Sequence, residues 1–336
     1  MSTQMKPKLS VLCITYNHEP FIRQCLDGFV MQKTNFPFQV LIHDDASTDG
    51  TADIIREYAK KYPDIIKPVL QKQNQFSRGI NVDKAFNWPR ISGEYVALCE
   101  GDDYWTDPHK LQKQVDFLDA HPDYSVCFHP VRVVWADKSH PDSIFPTPKY
   151  RFNKTTLELS DLLKHNFIQT NSVVYRWALA GRESDYPDGI LPGDWFMHLM
   201  HAATGKIGFL PDVMAVYRRH AGGIWWDYGR TDNWFLKCAT KNLKFYAEQE
   251  RMFGVNRTPE MTNLMRRTIA VFLRNHKFDE IVQIANEYPD VYQAATAATP
   301  ACPDAESAAH WHHRFNYLLI LTGVLIMTLL GMIIWG

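Results

Sequence analysis

The chain has 336 residues, 46% hydrophobic and 22% charged, a balance that suits a folded globular protein and excludes a disordered or fibrous one. Lys and Arg number 36 against 37 Asp and Glu, a net charge of -1, so the basic footprint of a general nucleic-acid binder is absent. Any anion this protein binds must be held by a local site.

The N-terminus is short, polar and basic and runs straight into a strand, which predicts no cleavable signal peptide. Residues 9–14 (LSVLCI) form a nearly continuous apolar run, followed by the turn Thr15-Tyr16-Asn17-His18-Glu19-Pro20 and a helical pattern to about residue 31. A second strand over 38–43 ends on Asp44-Asp45-Ala46-Ser47-Thr48-Asp49-Gly50-Thr51, and the next helix places Ala52, Ile55, Tyr58 and Ala59 on one face. Third and fourth strands read over 66–70 and 94–99. The fourth stops at Glu100-Gly101-Asp102-Asp103, after which Pro108 opens a helix carrying Leu111, Val115 and Leu118, and a fifth strand covers 124–129. Alternating strands and helices imply βαβ units, hence an α/β fold with a mainly parallel sheet and its ligand at the carboxyl ends of the strands.

Two acidic clusters fall at such ends, Asp44/Asp45 and Glu100/Asp102/Asp103. Asp49 and Asp107 read as helix caps or solvated loop acids. Asp102 and Asp103 read differently, because neighbouring carboxylates repel unless a cation offsets them, and loop oxygens suit Mg2+ or Mn2+ bridging a diphosphate. The cysteines Cys13, Cys25, Cys99, Cys127, Cys238 and Cys302 contain no C-x-x-C pair and read as buried thiols of a reducing compartment.

Residues 231–291 read as a helical extension, with Phe235, Leu243 and Tyr246 on one apolar face and Met265, Ile269, Phe272 and Leu273 on another. Lys244, Arg266, Arg267, Arg274 and Lys277 fit either a solvated face or a surface that steers an anionic lipid. Residues 292–314 read as a tether. The stretch 317–335 holds no charged residue and is long enough to cross a ~30 Å hydrocarbon layer, which predicts a transmembrane anchor over 315–336. Arg314 precedes it and only Gly336 follows, placing residues 1–314 in the cytoplasm at the inner membrane. The neighbouring His310, Trp311, His312 and His313 read as interfacial packing.

Taken together, LSVLCITYNHEPFI, DDASTDGT, GEYVALCEGDDYW and PHKLQKQVDFL resemble the nucleotide-sugar domain of the family 2 glycosyltransferases, over roughly residues 8–225 in the family's order. That likeness implies a Rossmann-like GT-A fold over residues 1–230, most similar to bacterial enzymes that build capsule, O-antigen or related surface glycans. It also implies that Thr15, Tyr16, Asn17, Asp44 and Asp45 hold the nucleoside, while Asn74 and Arg78 lie where the family contacts the nucleotide or its diphosphate. A carboxylate suits the imide N–H of uracil, and guanine about as well; a UDP-sugar is the expected donor.

By the same resemblance Glu100-Gly101-Asp102 corresponds to the family's D-x-D metal motif, with Glu in place of the first Asp. Asp102 is then the direct metal ligand ahead of Glu100, and Asp103 supports it from behind. GILPGDWFMHLMHAATG resembles the segment that carries the general base, here Asp194, which takes the acceptor's proton in an inverting transfer; the alternative is a plain N-cap. VMAVYRRHAGG resembles the segment that closes over the diphosphate, bringing Arg218 and Arg219 as cations and His220 as a further metal ligand. His198 and His201, three apart on one helix, lack a completed zinc set and read as packing. Thr170, Asn171 and Ser172 are candidates for the acceptor side. The implied activity is a metal-dependent inverting transfer, with Mn2+ or Mg2+, onto a growing and lipid-linked glycan. Direct transfer to polyprenyl phosphate, and an inactive nucleotide-sugar-binding scaffold, are the alternatives.

Overall fold

The computed structural model describes residues 6–147, 156–223, 226 and 230–297. The first apolar runs become β1 (Leu9–Thr15), α1 (Glu19–Val30), β2 (Phe38–Asp44), α2 (Thr51–Lys61), β3 (Ile66–Leu70) and β4 (Tyr95–Leu98). They are followed by β5 (Tyr104–Trp105), α3 (Lys110–Ala120), β6 (Tyr124–Phe128), β7 (Val131–Trp135) and β8 (Ser143–Phe145). The chain continues through α4 (Leu159–Lys164), β9 (Val174–Arg176), α5 (Gly193–Ala202), β10 (Lys206–Phe209), β11 (Ala215–Arg219) and α6 (Asp232–Phe253).

Seven strands form one sheet in the order β10-β6-β9-β4-β1-β2-β3. β1 pairs in parallel with β2 and β4, and β2 with β3, so the fold is mixed α/β around a largely parallel sheet. β9 is the departure, running antiparallel to both β4 and β6. The chain enters it from the turn Thr170–Ser172, at the edge where β1, β2 and β4 end, and can only run the other way.

The pleat divides each strand between two cores, because successive side chains point to opposite faces. Leu9, Val11 and Cys13 of β1, Val40 and Ile42 of β2, and Tyr95 and Ala97 of β4 pack with α1, α2 and α3. Leu12, Leu41, Val96 and Leu98 face the other way and pack with α4, α5 and α6 through Leu162, Phe196, Leu199 and Phe245. Burial on both faces is why the strands read as continuous apolar runs. On α1, Ile22, Leu26 and Phe29 are 0% exposed, each worth about 1.5–3 kcal/mol of transfer free energy.

A second, four-stranded sheet in the order β5-β11-β7-β8 has no counterpart in the sequence reading. Its strands are two to five residues long, too short to show a period. It sets β11 beside the acidic loop after β4.

The chain divides into two compact units, up to Val255 and from Asn256. α6 belongs to the first: the side chain of Thr231 accepts from the Trp234 N–H, and Phe245 is buried in the second core. The second unit holds α7 (Thr258–Arg274), α8 (Phe278–Glu287) and α9 (Pro289–Ala297), with Met265, Phe272, Ile281 and Ile284 buried. Residues 292–297, expected to begin a tether, are instead the end of α9. Their Ala-rich sequence favours helix, and Val291 and Ala295 bury at i, i+4. The apolar stretch 317–335 lies outside the described residues; among those described, no helix is long and apolar enough to cross a membrane.

Candidate active site

Parallel register brings the strand ends together: Thr15 lies opposite Asp44, and the loop after β4 emerges beside them. Asn17 takes a left-handed backbone, φ 54°, which an Asn tolerates. Its Oδ1 accepts from the Thr48 N–H at 2.8 Å, while its own N–H donates to Ser47 Oγ at 2.8 Å. The two loops are thereby laced. The Asp44 carboxylate accepts from the N–H and hydroxyl of Ser47, and burial pushes its pKa up. Asp45, 2% exposed, accepts from the backbone N–H groups of Gln75 (2.7 Å) and Phe76 (2.9 Å). Asn74 completes this clasp by donating to the Asp45 carbonyl at 3.0 Å. Asp45 and Asn74 thus shape the loop over 73–78, while Arg78 stays on its exposed side at 3.4–3.5 Å from Gln73 and Gln75. Tyr16 and Phe76 leave exposed rings on the two loops.

Asp102 is the hub of the second cluster. Its Oδ2 lies 2.9 Å from His220 Nε2 and 3.8 Å from His18 Nε2, and one ligand atom from each of the three residues fits within 4.8 Å of the others. Oδ1 of Asp102 is buried and has no hydrogen-bond partner. Burial would raise this carboxyl, but the His220 hydrogen bond, the neighbouring His18 and His220 imidazoles and a backbone hydrogen bond together outweigh it and hold it below the usual aspartate range. Two imidazoles, one carboxylate and an orphaned oxygen are a donor set that fits a divalent cation.

Asp103, expected to support Asp102 from behind, is turned inward and fully buried. Its Oδ1 accepts from the Arg218 N–H at 2.8 Å, and burial with the neighbouring Asp102 drives its pKa well up. Its role is to hold β11 against the acidic loop. Arg218 donates to Gln24 Oε1 at 2.7 Å and to the Asp102 carbonyl, between the rings of Phe21 (4.6 Å) and Tyr104 (5.0 Å). Arg219 alternates to the other face of β11, over Trp135 at 4.6 Å, and is not brought to this cluster.

Asp194 sits in the first turn of α5. Thr170 donates to its Oδ2 at 2.9 Å and the Trp195 N–H to its Oδ1 at 2.8 Å, while burial raises its pKa. It is not the cap, a position held by Pro192. Burial of its carboxyl and the charges of Asp102, Asp194 and Asp83 push Glu100 up to about 8. The charges of those three acids thus act on Glu100 from nearby.

Asp83 was not legible in the sequence, because no motif surrounds it. It accepts from Asn87 Nδ2 at 2.7 Å in a short helical turn, and burial pushes it up to about 6. His18 was missed as well; its only signal was an imidazole in the turn after the first strand. His198 and His201 are packing groups: both are buried, and burial pushes them down to about 3 and about 4. His198 Nδ1 meets the Tyr175 hydroxyl at 2.5 Å, and the His201 ring stacks on Tyr175 at 4.1 Å. Asn171 is structural too, donating to the Val216 carbonyl at 2.8 Å.

With this geometry in place the family assignment follows. Residues 10–222 match glycosyl transferase family 2, and the chain belongs to that family. An uncharacterized protein of Mycobacterium tuberculosis, Rv1520, is 51% identical over 217 residues, 65% of this chain and 60% of that protein. The putative glycosyltransferase EpsE of Bacillus subtilis is 34% identical over 120 residues, 36% of this chain and 41% of its own. Two solved structures share the fold. S. aureus TarS 1-349 with UDP-GlcNAc has a TM-score of 0.54 at 21% identity, covering 86% of this chain and 81% of that one. The mannosyltransferase PcManGT of Pyrobaculum calidifontis, with GDP-Man and Mn2+, has a TM-score of 0.53 at 20% identity, covering 92% and 80%.

Proposed function

We propose that this protein moves a sugar from a nucleoside-diphosphate donor, a UDP-sugar first, onto a hydroxyl of a growing surface glycan, with inversion and with a divalent cation. What supports the reading is that Thr170 orients Asp194, that the charges of Asp194 and Asp102 both act on Glu100, and that Asp102 pairs with His220. Its support from relatives is that fold neighbours are complexed with UDP-GlcNAc, or with GDP-Man and Mn2+.

Asp194 accepts the proton of the acceptor hydroxyl as that oxygen bonds to the anomeric carbon, and the bond from that carbon to the diphosphate oxygen breaks with its electron pair. Thr170 keeps the carboxylate aimed, and its raised pKa makes it a better base than an ordinary aspartate. Asp102 and His220 would hold the cation, which supplies positive charge to the departing diphosphate. Arg218 buttresses that loop through the Asp102 carbonyl. The apolar stretch 317–335 would tether the enzyme at the inner membrane, within reach of a lipid-linked acceptor.

The test is Asp194→Asn in the full chain, assayed for nucleoside diphosphate release over a panel of UDP- and GDP-sugars and, separately, for donor binding. Turnover should fall by about 10²–10⁴-fold with donor affinity unchanged. Wild-type turnover in the variant would remove Asp194 as the base.

A further inference from the structure

We infer that the cation centre is built from two imidazoles and one carboxylate, His18, Asp102 and His220, and that it takes a transition metal of the Mn2+ to Zn2+ series before any nucleotide arrives, in preference to Mg2+. This rests on the metal reading above and goes beyond it in naming His18, the metal class and the order of binding.

The three donors come from separate places: the turn after β1, the loop after β4 and the residue beyond β11. A hydrogen-bonded pair alone would account for His220 and Asp102 at 2.9 Å. It does not account for His18, whose Nε2 stops 3.8 Å from the same oxygen, too long for a hydrogen bond. Ligands about 2.0–2.2 Å from one ion stand roughly 3–3.5 Å apart, so from atoms already within 4.8 Å of one another, shifts of about an ångström convert this arrangement into a coordination face.

The other ring nitrogen of His18 is already committed. Nδ1 lies 3.1 Å from Thr15 Oγ1, which leaves Nε2 for the cleft, the outer hydrogen bond that metal-bound imidazoles commonly make. The backbone beneath it is fixed by the His18 N–H donating to Thr51 Oγ1 at 2.9 Å. The His18 and His220 rings meet edge to face at 5.9 Å, and Phe21 backs His220 at 4.8 Å. Asp102 Oδ1, buried without a partner, has the missing positive charge as its natural complement.

Gly101 is part of the same construction. A Cβ there would meet Thr15 Oγ1 at 2.5 Å and His18 Nδ1 at 3.1 Å, so only glycine lets the two loops approach closely enough. A site held by this much protein does not need the diphosphate to assemble it. Two imidazoles also set the metal class: nitrogen donors suit Mn2+, Co2+ and Zn2+ in rising order, whereas Mg2+ prefers oxygen and keeps its waters.

The experiment titrates Mn2+ into the full chain without nucleotide, following loss of the free-ion electron paramagnetic resonance signal. His310, His312 and His313 are replaced by alanine throughout, so that only the cleft is read. One Mn2+ should bind per chain, be displaced by Co2+ or Zn2+, and survive a tenfold excess of Mg2+. His18→Ala should weaken binding by at least about tenfold, and Gly101→Ala should do so with every ligand retained; matching metal-free melting curves separate this from misfolding. Mn2+ binding as tight in His18→Ala as in the parent, equal competition by Mg2+, or binding only with a nucleoside diphosphate would each overturn the inference. Full sugar transfer after exhaustive chelation would instead refute the metal dependence of the proposed reaction, whatever the titration gives.

Discussion

Replacing Asp83 with Asn should stabilise the first unit at neutral pH. Burial raises the Asp83 carboxyl from 3.8 to about 6, so the folded state holds its proton where the unfolded chain has lost it. For a raised acid the sign is destabilising: the penalty is absent below 3.8, grows as pH rises through the window to 6, and is complete above it. A shift of about 2.2 units at 1.36 kcal/mol each gives about 3 kcal/mol at pH 7.5, about half that at pH 5 and about 0.5 kcal/mol at pH 4. Asparagine carries no charge and keeps an Oδ1 for the Asn87 side chain, so the folded contact survives. The assay is urea unfolding followed by tryptophan fluorescence, parent against variant, at those three pH values. A gain that shrinks with falling pH supports the assignment. A gain that does not change with pH, or a variant less stable at pH 7.5, would refute it.

Asp45→Ala leaves the Gln75 and Phe76 N–H groups without their carboxylate, at a cost of about 3 kcal/mol for two hydrogen bonds to a charged group. Proteolysis should then cut the loop over 73–78 faster than in the parent, and equal cutting would show that the clasp is not what orders it. The raised pKa of Asp194 places the acid limb of the kcat–pH profile above the ordinary aspartate value of about 3.9, because the base must be ionised to accept a proton. Activity constant down to pH 4 would contradict that.

Sequence alone determined the layers and the address of the site. The apolar runs at 9–14, 38–43, 66–70 and 94–99 needed only the pleat and burial on both faces to become parallel neighbours. Acids at their carboxyl ends then had to converge. Asp102 was therefore placed at a strand's carboxyl end by pattern alone, whereas His220 reaches it only through β11 of the second sheet. Tertiary structure decided what each acid does. Asp102 and Asp103 are adjacent in sequence and opposite in chemistry, one held below the usual aspartate range beside His220 and the other buried and pushed well above it behind the Arg218 N–H, because the short second sheet turns one outward and one inward. Arg218 and Arg219 divide in the same way across β11. His18 joined Asp102 and His220 without any motif, since only the approach of separate loops brings it there. Local pattern sets which segments are strands and where they end; long-range packing sets burial and partners, and these decide charge.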